Sequence, residues 1–175
     1  MAQVDPERYW IPVDTANQIL ATFGITKPSA VYERRLRPDG FRLIDFNDVL
    51  FESRFVFIMD WRGELDEFVA TVLPALGEMG CELTYEPEGD DGAVSGILIS
   101  TDSRIAAIRY VPTEGGDFDE VIRAFARLCP ETIEFRQTPG NKESDTWVYA
   151  ALSRDEWREL EKLEPVVIRH FFEPM

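Results

Sequence analysis

Four carboxylates close together in the chain are the first residues whose type and spacing suggest a function. Glu86, Glu88, Asp90 and Asp91 make up the most acidic short segment of the sequence. Such a loop predicts either a solvated hairpin tip or a docking point for the Arg and Lys side chains of a partner. A calcium site is a weaker interpretation, because the ordered spacing of an EF-hand loop is missing.

A second group is the pair Asp60 and Glu114. Each follows an apolar strand-like run, 55–59 in one case and 104–111 in the other, and each precedes a predicted helix. If the two runs are equivalent strands, both carboxylates lie beside one cleft. Two carboxylates in close contact acquire divergent pKa values and can perform acid–base catalysis. A small-ligand-binding domain or a carboxylate-based enzyme, with a site in this cleft, is therefore our alternative hypothesis.

The remaining reactive side chains indicate no catalytic site. His170 is the only histidine, so a histidine-based metal site is impossible and a structural or surface role is expected. Cys81 and Cys129 follow predicted helices, where the helix dipole disfavours a thiolate, so we expect small apolar packing residues. No motif for a cofactor or a metal ion is evident, and we predict neither.

The elements that carry these residues follow a repeated pattern. Apolar residues recur at the same helical spacing in two places, and an Asp-Glu pair follows the first apolar residue in both. The predicted core positions are Leu65, Phe68, Val69, Val72, Leu73 and Leu76 in the first place and Phe118, Val121, Ile122, Phe125, Ala126 and Cys129 in the second. Each predicted helix follows a strand-like run and precedes an alternating one. The pattern favours a duplicated strand-helix-strand-strand unit, although two unrelated amphipathic helices would show the same periodicity.

We therefore predict an α+β fold whose largely antiparallel sheet, of about eight strands, is built from two tandem units. An extra N-terminal helix and a C-terminal helix and strand complete it. One compact domain, 1–175, would contain an N-terminal helix with an arginine-bearing segment, a first and a second repeat unit, and a C-terminal helix with a strand. These parts span 1–53, 54–101, 104–152 and 153–175.

Three local predictions complete the expected fold. The uninterrupted apolar run 55–59 indicates a central strand that is covered on both sides. Ser153 and Glu156 have the spacing of a capping box, and 166–172 is predicted as the last strand. The stretch 25–54 cannot be assigned, except that Asp39-Gly40 is typical of a turn.

The charge of the chain limits its partners. Lys and Arg number 18 against 33 Asp and Glu, giving a formal net charge of −15. The stretch 26–44 carries five cations and two carboxylates, which is +3 and leaves −18 for the rest. Nonspecific binding to nucleic acid or to an anionic membrane is disfavoured, whereas a basic protein would be attracted.

The N-terminal residues do not resemble a signal peptide, and no apolar run approaches the roughly 20 residues of a membrane span. We therefore expect a cytoplasmic protein with reduced thiols; the oligomeric state is not predicted. The first hypothesis is a nonenzymatic acidic interaction module. One concrete version is an inhibitor or immunity protein that neutralises a basic toxin.

Overall fold

The computed structural model describes residues 4–60, 62–88, 95–110, 117–139 and 146–175. In these ranges the helices are α1 (Val13–Thr22), α2 (Ala30–Arg35), α3 (Leu43–Leu50), α4 (Leu65–Glu78), α5 (Asp117–Leu128), α6 (Arg154–Leu163) and α7 (Pro165–Phe171). The strands are β1 (Trp10–Ile11), β2 (Phe41–Arg42), β3 (Val56–Asp60), β4 (Leu83–Pro87), β5 (Ser95–Ser100), β6 (Ile105–Arg109), β7 (Ile133–Gln137), β8 (Thr146–Ser153) and β9 (Glu173–Pro174). The protein is an α+β fold with antiparallel sheets, as predicted.

The described strands form three sheets, and the prediction of one sheet of about eight strands is wrong. A central sheet has the order β3-β8-β7-β9, an outer sheet has the order β4-β5-β6, and β1 pairs with β2. Strand β3 pairs with β8, and β6 pairs with β5. Each of the two larger sheets therefore combines strands from both predicted units, which pattern analysis of the sequence does not reveal.

Strand β8 has neighbours on both sides and is covered on both faces. Tyr149 and Ala151 enter a first core, whereas Val148 and Ala150 enter a second core on the opposite face of the central sheet. Strand β3, predicted to be central, is instead an edge strand of this sheet. Its side chains still reach both cores, although Ile58 is 48% exposed.

Helices α4 and α5 supply apolar faces to the first core, as their periodicity predicts. Most predicted core positions of these helices are buried, but Leu73 is only half-buried and Ala126 is exposed. The buried residues of the two helices are Leu65, Phe68, Val69, Val72, Ala75, Leu76, Phe118, Val121, Ile122, Ala124, Phe125 and Leu128.

The N-terminal segment contains three helices instead of one. Arg37 and Gly40 exchange backbone hydrogen bonds of 2.9 Å in both directions, which closes the predicted turn. Strand β2 ends after two residues and α3 follows at once. Part of the positive charge of the segment 26–44 is neutralised within the protein, because Asp45 pairs with Arg35 at 3.3 Å and with Arg42 at 2.7 Å.

In the C-terminal segment, the predicted capping box is confirmed and the predicted last strand is wrong. The Glu156 amide donates to the Ser153 hydroxyl at 3.2 Å, and the Ser153 amide donates to the Glu156 carboxylate at 2.8 Å, so the capping box is present. The stretch 166–172, predicted as a strand, forms most of helix α7. Proline suits the first turn of a helix, and Pro165 begins this one, which buries Ile168 and Phe171. The backbone is extended from Phe172 onward, and β9 pairs with β7 at the edge of the central sheet.

Candidate functional site

The outward side of the outer sheet exposes apolar side chains. Ile97 lies beside Ala107, and Ile99 lies beside Ile105, in the register of β5 and β6. Their alternate neighbours, such as Leu98 and Ile108, point into the first core. Ile105 is 66% exposed, Ala107 is exposed, and the other two isoleucines are half-buried. We call Ile97, Ile99, Ile105 and Ala107 the apolar face.

Acidic residues border the apolar face along β4. Glu86 is exposed and lies directly beside Ile97. Glu88 is also exposed, and its amide donates to the Ser95 carbonyl at 3.0 Å, so it continues the same border. Two of the four predicted partner-binding carboxylates are therefore adjacent to an exposed apolar patch, while Asp90 and Asp91 lie outside the described residues.

Sequence reasoning missed the apolar face, although β5 contained a signal. Its inward residues include Gly96 and Ser100, and its outward residues include Ile97 and Ile99. An antiparallel strand with one solvated face normally places its large apolar residues inward. Strand β5 departs from this rule, because two of its isoleucines lie on the outward side while Gly96 and Ser100 lie inward.

The alternative site is only partly described. Asp60 ends β3, and its carboxylate accepts from the Arg62 amide at 2.8 Å and from Arg62 Nε at 3.4 Å. These interactions lower the pKa of Asp60, the hydrogen bond from the Arg62 amide contributing most, so the carboxyl group is ionised at neutral pH. Glu114 lies outside the described residues, so the predicted carboxylate pair remains a prediction.

The ends of β3 and β6 do approach each other. The hydroxyl of Tyr110, directly after β6, donates to the Asp60 carbonyl at 3.2 Å. Burial and the nearby Asp60 charge raise the pKa of Tyr110 to about 12, so this phenol keeps its proton at neutral pH. Between β3 and the first turns of α4, a shallow cavity of about 270 Å³ has Asp60, Glu64 and Glu67 among its lining residues. These three carboxylates give the cavity an acidic lining.

Near the start of α5, polar and aromatic side chains pack in the first core. The Tyr149 hydroxyl donates to Asp119 Oδ1 at 3.0 Å, and Arg123 lies 3.7 Å from Asp119 Oδ2. Burial, followed by the Asp119 charge, raises the pKa of Tyr149 far above its usual range. The ring of Phe118 lies 5.0 Å from that of Trp147, between centroids. The Tyr149 phenol therefore keeps its proton at neutral pH and acts as the hydrogen-bond donor to Asp119.

The other reactive side chains that the structure describes are His170, Cys81 and Cys129. His170 is exposed, as expected, and partial burial of its ring lowers the pKa of its imidazole. Cys81 and Cys129 are buried in the first core, which confirms their prediction as packing residues. Within the described ranges, no cluster of three or more His, Cys, Asp or Glu side chains has an arrangement that would hold a metal ion. No helix in these ranges is long and apolar enough to span a membrane.

Comparisons of the chain with protein-family models, with curated proteins and with solved structures gave no match. Its function must therefore be argued from its own residues.

Proposed function

We propose that this protein is a nonenzymatic interaction module that binds a basic protein partner through the apolar face and its acidic border. The supporting observation is the position of Glu86 beside Ile97, at the margin of four apolar side chains on an exposed sheet face. An apolar centre supplies the binding energy of an interface, and charges at its rim steer the partner and set specificity.

The overall charge supports this choice of partner. With a net charge of −15, the protein attracts cationic surfaces over distances that shrink as salt increases. The positive excess of the segment 26–44 is partly consumed by internal pairs such as Arg35 with Asp45. In its concrete form, the proposal is that this protein is a cytoplasmic inhibitor or immunity protein. It would cover the cationic groove of a toxin such as a nuclease.

Capture from the native lysate tests the proposal, with mass spectrometry to identify what binds the immobilised protein. We expect a basic protein that is released by salt. The double variant Glu86→Lys/Glu88→Lys should lose it, whereas Glu33→Lys/Asp39→Lys, which reverses two exposed carboxylates outside the outer sheet, should retain it. Capture of acidic proteins only, or equal capture by both double variants, would contradict the proposal.

A second pair of variants separates the apolar contribution from the charge. Ile105→Asp adds a negative charge that a basic partner would favour, but it removes the most exposed isoleucine of the apolar face. We expect it to abolish capture. Ile58→Asp changes an exposed isoleucine of the central sheet in the same way and should leave capture intact. Stronger binding by Ile105→Asp would show that charge alone drives association.

The approach of Tyr110 to Asp60 favours one second candidate, a small-ligand or carboxylate-based catalytic site in the cleft between the ends of β3 and β6. Glu114 would be the second carboxylate of this site. Ligand screening by thermal shift tests it, with Asp60→Asn as the variant. A ligand that stabilises the wild type and the variant equally would eliminate Asp60 as a contact.

We also propose that the two units arose by duplication. The order strand-helix-strand-strand occurs in Val56–Ser100 and again in Ile105–Ser153. In both halves the first strand pairs with the last strand of the other half. Superposition of the two halves tests this idea, and a failure to align the helix together with its three strands would reject it.

A further inference from the structure

Cys81 and Cys129 meet inside the first core. Cys81 lies shortly after α4 and Cys129 directly follows α5, and the two residues are 48 positions apart in the chain. Their sulfur atoms are 2.8 Å apart, and both residues are at most 5% exposed. A disulfide bond has a sulfur–sulfur length of about 2.05 Å, so the thiols must move by less than one ångström to be joined.

We propose that Cys81 and Cys129 are an oxidisable dithiol that closes into an intramolecular disulfide without rearranging the core. The reaction with a low-molecular-weight disulfide such as oxidised glutathione balances in two exchanges. A thiolate of the protein attacks the glutathione disulfide and releases one glutathione thiolate. The second protein thiol, as its thiolate, then attacks the mixed disulfide and releases the other glutathione, so that two protons leave the protein thiols and two glutathione thiols form.

The surroundings of the pair determine when the bond forms. Burial raises the pKa of both thiols, although the nearby guanidinium of Arg104 opposes this effect. Arg104 itself is held by the carbonyls of Arg127 and Leu128, each at 2.9 Å, at the end of α5. Because the thiolate is the attacking species, the folded dithiol reacts slowly, and the bond forms mainly while the chain is folding.

The bond would connect the end of α5 to the segment that leads into β4. Strand β4 carries Glu86 at the margin of the apolar face, so oxidation would anchor the border of the proposed docking surface to the first core. In a reducing compartment the pair remains a dithiol. The inference does not depend on the proposed function, because it rests on the position of the two sulfur atoms alone.

Refolding of the full chain tests the proposal. The reduced, unfolded protein is refolded in parallel in a glutathione redox buffer and in dithiothreitol, and both samples are then denatured and alkylated. We expect no alkylated cysteine in the monomer from the glutathione buffer and two in the other sample. The oxidised protein should melt roughly 5–15 °C higher, because a closed loop of this length restricts the unfolded chain.

Two variants control for unspecific oxidation. Cys81→Ser and Cys129→Ser each leave one thiol, which should be alkylated or carry glutathione and should gain no thermal stability from the redox buffer. The wild-type comparison stands even where a variant fails to fold. Two alkylated cysteines after oxidative refolding, a disulfide-linked dimer, or a lower melting temperature of the oxidised monomer would each overturn the proposal.

Discussion

At the scale of single residues, Asp119 has a charged side chain that lies inside the first core, where it contacts Tyr149. Tyr149 is fully buried and Asp119 nearly so. The hydroxyl donates at 3.0 Å, whereas the other partner of the carboxylate, Arg123, lies 3.7 Å away and is half-exposed. Of these two contacts, the hydrogen bond from the Tyr149 hydroxyl is the shorter and the more buried. It therefore offsets more of the cost of desolvating the Asp119 carboxylate.

Removing the hydroxyl should destabilise the protein. We expect Tyr149→Phe to lower the free energy of unfolding by about 1–3 kcal/mol, because a buried carboxylate oxygen loses its donor. Tyr9→Phe is the matched control, since the Tyr9 hydroxyl donates to Glu164 at 2.9 Å near the surface, where water can replace it. Chemical denaturation at neutral pH measures both. If both variants lose the same free energy of unfolding, the burial of Asp119 does not increase the cost of removing its hydrogen-bond donor.

The same variant should change the response of the protein to alkali. The pKa of Tyr149 is raised in the folded state, so above about pH 10 the unfolded chain loses this proton while the folded protein keeps it. The stability contributed by the group is complete below that pH and is lost as the pH rises further. Tyr149→Phe should therefore reduce the loss of stability between about pH 9 and about pH 11. Tyr110, whose pKa is raised to about 12, should account for part of the remaining loss.

At the scale of elements, the hairpin of β4 and β5 depends on one glycine. A Cβ atom on Gly96 would lie 2.2 Å from Tyr85 Cε2, because the Tyr85 ring covers this position, and the Tyr85 hydroxyl donates to the Ser95 carbonyl at 3.2 Å. Gly96→Ala must displace the ring. We expect it to cost about 1–3 kcal/mol of stability, as overpacking does.

The same substitution elsewhere provides the control. A Cβ atom on Gly77, in helix α4, would have no neighbouring atom within 4 Å. Gly77→Ala should stabilise the protein by roughly 0.5–1 kcal/mol, because alanine loses less backbone entropy in a helix. Thermal denaturation of both variants measures the difference. A neutral or stabilising Gly96→Ala would contradict the role given to the Tyr85 ring.

The elements differ in how far the sequence predicts them. The capping box at Ser153 and the core faces of α4 and α5 depend on local spacing, which the sequence contains in full. The stretch 166–172 lies mostly in a helix although its sequence predicts a strand, because a short apolar run fits both periodicities. The pairing of β3 with β8 joins residues about 90 positions apart in the chain, and no local pattern encodes such a contact.

At the scale of the whole molecule, the candidate site also depends on long-range contacts that no local sequence pattern encodes. The acidity of Glu86 and Glu88 is visible in composition, so the border of the surface could be predicted. The exposure of Ile97 and Ile105 depends on which side of the outer sheet the helices cover, and that is a property of the assembled fold. Contiguous exposed apolar patches often mark interaction sites, and on this basis we propose a partner for this surface.

The net charge of the molecule should also be measurable in its stability. An excess of 15 negative charges over an accessible surface of 9654 Å² corresponds to a mean spacing of roughly 25 Å, between the Debye lengths of about 30 Å at 0.01 M salt and about 10 Å at 0.1 M. Salt in this interval screens the repulsion. It also weakens surface ion pairs such as Glu159 with Lys162, at 2.7 Å, but such pairs contribute less than about 1 kcal/mol each.

Repulsion should therefore dominate, and the melting temperature should rise by a few degrees between low and moderate salt and then level off. Scanning calorimetry over a sodium chloride series measures this. The variant Glu33→Lys/Asp39→Lys reduces the net negative charge by four, from −15 to −11, and should show a smaller rise. A melting temperature that falls over the same interval would mean that the ion pairs outweigh the repulsion. The charge would then matter for binding alone, because the steering of a basic partner requires only the exposed carboxylates around the apolar face.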